Sequence, residues 1–404
     1  MNVIMVCESA QLSGGAEKIA IQQALELRRR GYRVGYIAAN DSADPELVNS
    51  GAEILLTDTK SFFEETRRIL KLQKLLANKE IETKIEDFLS SFEPRDTVIH
   101  LHTFRLRLSG IVPHVAQELG FKTIIHCHDY SPVCPTSLLF DHRSGTNCHR
   151  KPMSLSCISC ECQNQRWKYK LPKLTSYFWN QAVWKVNQRA SGMIHISELE
   201  RTTSIEAGCP ATSSFSVLPI TSFLSSPRIK SENNRNFVFV GRLTHEKGVD
   251  VFLDSAVRAS VSAVVIGDGP LRESLQTAYP TARFTGWIDE DEIEQELSQA
   301  RALVVPSRWR ETLCLSVIDA MHLGVPCIVS NYVGAKEYID DGINGEIFSE
   351  GSLSESLTSF SDDSHVKGLS ENAYATFQNS PMTIARHVDA LIPIYEQCLN
   401  GGVL

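Results

Sequence analysis

The 404-residue chain is longer than one hydrophobic core normally serves, which points to two domains. Apolar residues make up 42% of it and charged residues 22%, a soluble globular composition. A formal net charge of −8 argues against a general nucleic-acid binder, and no run approaches the roughly 18 apolar residues of a membrane span.

The chain opens on Asn2–Cys7, an apolar run too short for a signal peptide and without a basic lead, so it reads as a first buried strand. On that reading the chain is cytoplasmic and its 11 cysteines are reduced. Gly14 and Gly15 follow as a turn. Lys18–Arg30 then carries Ile19, Ala20, Ala24, Leu25 and Leu27 at helical spacing, Gly31 stops it, and Arg33–Ala38 is the next strand. Strand, glycine turn, helix and strand make a right-handed crossover of a parallel sheet. The rhythm returns at Thr97–Leu101 and Lys122–Cys127, with Leu108–Leu119 helical between them, and at Ser191–Ile196.

Residues 130–190 break this rhythm. Cys134, Cys148, Cys157, Cys160 and Cys162 crowd into this stretch, and Cys157 and Cys160 form a Cys-x-x-Cys pair. In a reduced chain that spacing reads as a structural zinc site on Cys134, Cys148, Cys157 and Cys160, with Cys162 or His149 as rival ligands. Free thiols and a disulfide formed on oxidation are the other readings. Gln163–Ala190 is basic and aromatic, holding Arg166, Lys168, Lys170, Lys173, Lys185 and Arg189 without an acid. It suits either an anionic membrane surface or a lipid-diphosphate acceptor, or is a packed amphipathic helix with its lysines on the wet side.

A second set of strands is expected at Phe237–Val240, Ala263–Ile266, Ala282–Phe284, Ala302–Val305 and Pro326–Ser330. The helices between them are Val249–Ala259, Pro270–Ala278, Glu290–Ala300 and Ser316–Leu323. This is a second doubly wound sheet, with the polar segment Thr221–Asn236 as linker. The expected domains are residues 1–220, with the Cys-rich insertion 130–190, and residues 221–382. The last helix, Thr383–Leu399 within 383–404, has no strand after it and suits packing back on the first domain.

Two stretches carry the chemistry. Gly241-Arg242-Leu243-Thr244-His245-Glu246-Lys247-Gly248 puts two cations just after a buried strand, which suits a diphosphate. Arg310–Asp319 sets Glu311 and Asp319 eight positions apart across a loop running into a helix, and separated carboxylates suit sugar hydroxyls. A site that needs both is a site for a nucleotide-sugar. The plainer readings are solvated loop cations for Arg242 and Lys247, a helix cap for Glu311 and an exposed helix acid for Asp319.

These stretches join others in a fixed order: Gly14-Gly15-Ala16-Glu17, His128-Asp129, Gly267-Asp268-Gly269-Pro270, Phe284-Thr285-Gly286-Trp287, Pro306-Ser307 and Gly324-Val325-Pro326. Together they resemble glycosyltransferase family 4, the retaining transferases of the GT-B fold, over nearly the whole chain. Two departures stand out. The family's second acid is usually glutamate, where this chain has Asp319, and its Gly-Phe-Gly loop is replaced by Thr312-Leu313-Cys314.

The resemblance implies two Rossmann-like doubly wound domains facing a cleft, and a hexose moved with retention from a nucleoside-diphosphate sugar to a glycan or lipid-linked glycan, as in bacterial surface polysaccharide synthesis. It assigns Arg242 and Lys247 to the donor diphosphate, Glu311 to the donor sugar and Asp319 to the ribose. It assigns the backbone of Leu313, Cys314 and Leu315 to the phosphates, the backbone around Gly286–Ile288, Gly286 and Trp287 included, to the base, and Gly14 and Gly15 to the donor across the cleft. His128 then stands beside the reacting sugar, with His126 its competitor on the same strand face and His100 and His102 ending a neighbouring strand. The two cations do the work a metal would do, so no cofactor is required for catalysis. Contact with the inner face of a membrane would run through 163–190. A nucleotide-sugar 2-epimerase, or a binding protein without turnover, are the alternatives on the same frame.

Overall fold

The computed structural model describes residues 1–12, 14–60, 79–105, 107–163, 167–210, 214–216, 219–221 and 227–401. Arg166, residues 222–226 of the expected linker and residues 402–404 of the last segment lie outside the described residues.

Among the described residues, fifteen strands follow in chain order. The first sheet takes β1 (Asn2–Cys7), β2 (Arg33–Ala38), β3 (Glu53–Leu56), β4 (Thr97–Leu101) and β5 (Lys122–Cys127). A small hairpin, β6 (Phe140–Asp141) and β7 (Thr146–Asn147), precedes β8 (Gly192–His195) and β9 (Ser214–Ser216). The second sheet holds β10 (Asn236–Val240), β11 (Ser262–Ile266), β12 (Arg283–Gly286), β13 (Ala300–Val305), β14 (Cys327–Ser330) and β15 (Gly345–Phe348).

The strand orders are β3-β2-β1-β4-β5-β8-β9 and β12-β11-β10-β13-β14-β15, and the pairs within each sheet are parallel. Each order reverses once, between β1 and β4 and between β10 and β13. Loops leave such a switch point in opposite directions and open a crevice at the carboxyl ends of the strands. This is the GT-B architecture of two Rossmann-like sheets. The central strands β4 and β13 are buried at every position, as sheets covered on both faces require.

Each sheet divides its domain into two apolar layers. One face of the first sheet packs Ile99, Leu101, Ile111 and Val115; the other packs Val3, Met5, Ala24 and Leu27 with Val388, Leu391 and Tyr395 of the last helix, Ile384–Leu399. That helix closes on the first domain through polar contacts too: Gln23 bonds His387 at 2.7 Å and Arg30 pairs with Asp389 at 2.6 Å. The sheet faces of the second domain are covered by Val317, Ile318 and Phe377 on one side and Val249, Phe252 and Leu357 on the other.

The strands Asn2–Cys7, Arg33–Ala38, Thr97–Leu101 and Lys122–Cys127 stand where the sequence sets them. Beyond the expected elements are β3, β9, β15 and the helices Lys79–Leu89, Glu198–Glu206, Leu353–Ser359 and Asp363–Asn379. The basic stretch after residue 166 is a helix, Trp167–Phe178, then a π-turn, Trp179–Val183, and a short helix, Val186–Arg189. Its described cations are not all on a wet face. Lys170 is turned inward at 2% exposure and Arg189 pairs with Glu118 at 2.6 Å. No described helix is long and apolar enough to cross a membrane.

Candidate active site

The loops after β10 and β13 flank the second switch point, and glycine lets them touch. Gly248 has φ +69, and a Cβ there would meet the carbonyl oxygen of Pro306 at 2.0 Å. That approach brings Lys247 onto Glu311. The Lys247 ammonium donates to Glu311 Oε1 and the Ser307 hydroxyl donates to Glu311 Oε2. The Glu311 side chain is 7% exposed and that of Lys247 17%. Burial works against the ammonium, but the Glu311 carboxylate outweighs it and the Lys247 pKa is raised, so the site holds a fixed positive charge. Arg242 is exposed, stands close enough to press electrostatically on Lys247, and has no ion pair among the described residues.

The chain then turns into the helix Leu315–His322 through Cys314, at φ 81 and ψ 84. A side chain at that φ is strained, and it falls in the loop where the resemblance leads one to expect glycine. The Val317 amide of the first turn donates back to the Cys314 carbonyl at 3.2 Å, and the amides before it have no partner within the helix, which suits an anion at this end. Leu313 is 3% exposed, its side chain packed in the second core, so only its backbone can face a ligand. Asp319 is buried one turn on and accepts a 2.9 Å bond from the Thr221 hydroxyl, on the connection between the domains. At the far side, Gly286 ends β12 at φ +80, its carbonyl held by the Gly267 amide at 2.9 Å, and Trp287 follows at 79% exposure.

The first domain closes on this loop at several points. Gly15 begins the helix Gly15–Arg29, and a Cβ there would stand 3.3 Å from Leu315 Cδ1. The Thr312 hydroxyl donates to the His128 carbonyl at 2.9 Å, and the Ser197 hydroxyl donates to the Thr312 carbonyl at 2.5 Å. Asn147 grips the backbone before Glu311 from both sides, donating to Arg308 O at 3.1 Å and accepting from Arg310 N at 2.9 Å. Trp309 sits between them, 6% exposed in the first domain's core and edge-on to Tyr130 at 6.2 Å. Asn147, Ser197 and Trp309 are not singled out by the sequence, since none belongs to a motif with chemistry of its own; Thr312 is named there only as a departure in the loop after Glu311, not for these contacts.

His128 follows β5, half-buried, with Nε2 2.8 Å from His102 Nδ1. Burial pushes its imidazole down to about 3, so it stands neutral at physiological pH. Behind it His100, His102 and His126 form a stacked block, and burial drives each well below the usual range. His100 bonds Tyr395 at 2.7 Å and His126 at 3.2 Å, so both belong to the interior rather than the cleft. Nitrogens of His100, His102 and His126 lie within 4.8 Å of one another, as do ligand atoms of Cys127, His195 and Glu200. In the second group His195 Nδ1 bonds Glu200 at 2.7 Å, and Glu200 also takes the Ser204 hydroxyl.

The cysteine cluster differs from the expected ligand set. Cys134, Cys148, Cys157 and Cys162 line one small cavity, whereas the Cys160 thiol turns to Asp141 Oδ2 at 3.3 Å. The reason is local: the helix Leu155–Ser159 ends at Cys160, whose backbone goes extended and points its side chain away. A larger cavity of about 380 Å³ lies next to it, lined by Cys148, His149, Arg150, Lys151, Glu206 and Arg310 among others.

Residues 234–360 match the family described as glycosyl transferases group 1. A GDP-mannose-dependent alpha-mannosyltransferase of Corynebacterium glutamicum is 36% identical over 107 residues, 26% of each chain. The chain spans about a quarter to a third of the length of the curated relatives it matches first. Among solved structures, the Anabaena protein HepE in complex with UDP and glucose superposes with a TM-score of 0.66 at 17% identity, covering 99% of both chains. A sucrose-phosphate synthase from Thermosynechococcus elongatus gives 0.70 at 16% identity over the whole of both. The two-sheet fold is thus shared end to end, while sequence kinship concentrates in the half that carries Arg242, Lys247, Glu311 and Asp319. The chain has the GT-B fold, and its residues 234–360 match the glycosyl transferases group 1 family.

Proposed function

We propose that the chain is a retaining hexosyltransferase that takes its sugar from a nucleoside diphosphate bound at the second switch point. The observation that carries this reading is the Lys247–Glu311 pair, on the loop that runs into the helix Leu315–His322, with Arg242, which has no ion pair among the described residues, close enough to act on Lys247. Two fixed cations and a helix N-terminus favour a diphosphate, and they favour it most as it leaves with added charge. Glu311, held on one oxygen by Lys247 and on the other by Ser307, can accept from the donor sugar's hydroxyls. Asp319 takes the ribose in exchange for Thr221, and Trp287 offers an exposed ring to the base. The matched mannosyltransferase, named as GDP-mannose-dependent, and HepE, solved with UDP and glucose, support a nucleotide-sugar donor.

The acceptor hydroxyl approaches from the first domain and attacks from the leaving-group side, and the departing diphosphate oxygen takes its proton. Neutral His128 donates a hydrogen bond to the reacting sugar without adding charge. The cavity of about 380 Å³ is rich in cations, with Arg150, Lys151 and Arg310 opposed by Glu206, so the acceptor is a glycan carrying an anionic group or a lipid diphosphate. The same insertion exposes Leu155, Trp167, Leu171 and Phe178, a set suited to resting on the inner face of a membrane. Transfer onto such an acceptor belongs to surface polysaccharide synthesis.

The test is a thermal-shift panel of UDP, GDP and ADP, followed by their sugars. One nucleoside diphosphate should raise the melting temperature, and the shift should disappear in Arg242→Ala. No shift with any of them would leave a glycan-binding protein without turnover as the better account.

A further inference from the structure

We infer that Cys134, Cys148, Cys157 and Cys162 bind one zinc ion, and that this ion holds the hairpin from which Asn147 positions the Glu311 loop. The metal site stands without the transferase reading, because its evidence lies wholly in the insertion.

The four thiols line a single cavity of about 20 Å³, room for one water-sized body. They reach it from separate segments: the turn before β6, the residue after β7, the helix Leu155–Ser159 and the irregular stretch beyond it. The sulfurs line the cavity rather than meet, so binding draws them inward to the roughly 2.3 Å of a zinc–thiolate bond. Up to four thiol protons leave as the ion enters.

Charge separates this from plain packing or a disulfide. Lys170 is 2% exposed, lines the same cavity, and bonds the carbonyls of Cys157, Ile158 and Cys160. No carboxylate pairs with it among the described residues. A buried ammonium without a counter-charge is costly. Arg150 also lines the cavity, donating to Cys148 Sγ at 3.6 Å as well as to Asp141 at 2.9 Å. Lys173 is near enough to feel Cys134 and Cys162. A zinc ion with four thiolates carries a net charge of −2, which these cations neutralise. A pair of disulfides would carry none and leave Lys170 uncompensated. Four sulfur ligands leave no open position, so the ion is structural.

Its purpose follows from the hairpin. Cys148 comes directly after Asn147, and its amide bonds Leu139 O at 2.6 Å. Asn147 in turn clasps the backbone on both sides of Trp309, two residues before Glu311. The hairpin β6–β7 has two residues in each strand and no core of its own, so cross-linking its ends by a metal fixes the clasp.

The experiment is elemental analysis of the full chain purified under reducing conditions, with Cys160→Ser and Cys162→Ser beside it, and cobalt exchange of the wild type. About one zinc per chain is expected in the wild type and in Cys160→Ser, and less than half of that in Cys162→Ser. The cobalt form should show thiolate-to-metal charge transfer and the intense visible bands of a tetrahedral four-sulfur site, which stands whether or not Cys162→Ser folds. A wild type without zinc that takes up no cobalt overturns the proposal. So does loss of metal in Cys160→Ser with retention in Cys162→Ser, or a peptide map showing disulfides among these cysteines under reduction-protected work-up.

Discussion

Acid should unfold the first domain through its histidine block. His100, His102 and His126 are 0%, 4% and 2% exposed, and burial holds them and His128 below their usual range, His128 at about 3. A histidine whose folded pKa is depressed contributes stability above its unfolded pKa, about 6.5, and loses it as pH falls below that value. At pH 5.5 each unfolded imidazole gains about 1.4 kcal/mol by protonation, against under 0.1 kcal/mol at pH 7.5. Four of them cost the native state roughly 5 kcal/mol over that interval, comparable with the whole stability of many domains. Buried Asp129 and Glu200, whose pKa values burial raises, work the other way and blunt the loss. Comparing urea unfolding of the wild type and His126→Gln at both pH values isolates the histidine share. The variant should lose about 1.3 kcal/mol less between pH 7.5 and 5.5. Equal losses in both proteins would mean that His126 is protonated in the native state and that the block is not held neutral.

Three further outcomes follow from the same geometry. Glu311→Ala should chiefly lower kcat while Asp319→Ala chiefly raises the donor KM, because contacts at the reacting sugar change during transfer and ribose contacts do not; steady-state kinetics showing the reverse would exchange the two roles. Trp309→Ala removes an aromatic side chain buried across the domain boundary, which should cost about 3–5 kcal/mol and split thermal unfolding into two calorimetric transitions; a single unshifted transition would show that Trp309 does not couple the domains. Cys314→Gly should keep turnover, since glycine adopts φ 81 freely, whereas Cys314→Val should lose most of it because a β-branched side chain resists that backbone; equal activity in both would remove the strain argument.

What the sequence shows and hides divides along physical lines. Strands buried on both faces read as continuous apolar runs, so β1, β2, β4 and β5 are legible to the residue. The helix Asp363–Asn379 was not, although Val366, Leu369, Ala373 and Phe377 mark its buried face at helical spacing, because serine, asparagine and Gly368 dilute the pattern. At the site, Arg242, Lys247, Glu311 and Asp319 stand in short local motifs and could be named. The groups that hold them could not, because Asn147, Ser197 and Trp309 act across more than a hundred residues of chain. Cys162 stood only as a rival to Cys160 in the sequence, since spacing alone cannot show which of the two thiols lines the cavity and which turns to Asp141.

The central claim is that Arg242 and Lys247 hold a leaving diphosphate, and the most direct measurement is nucleoside-diphosphate release from a panel of UDP- and GDP-hexoses. The wild type should release one nucleotide from one donor, and Arg242→Ala and Lys247→Ala should each slow that release by roughly a hundredfold, the scale of one lost electrostatic contact in the transition state. Release that proceeds at the wild-type rate in both variants would contradict the account.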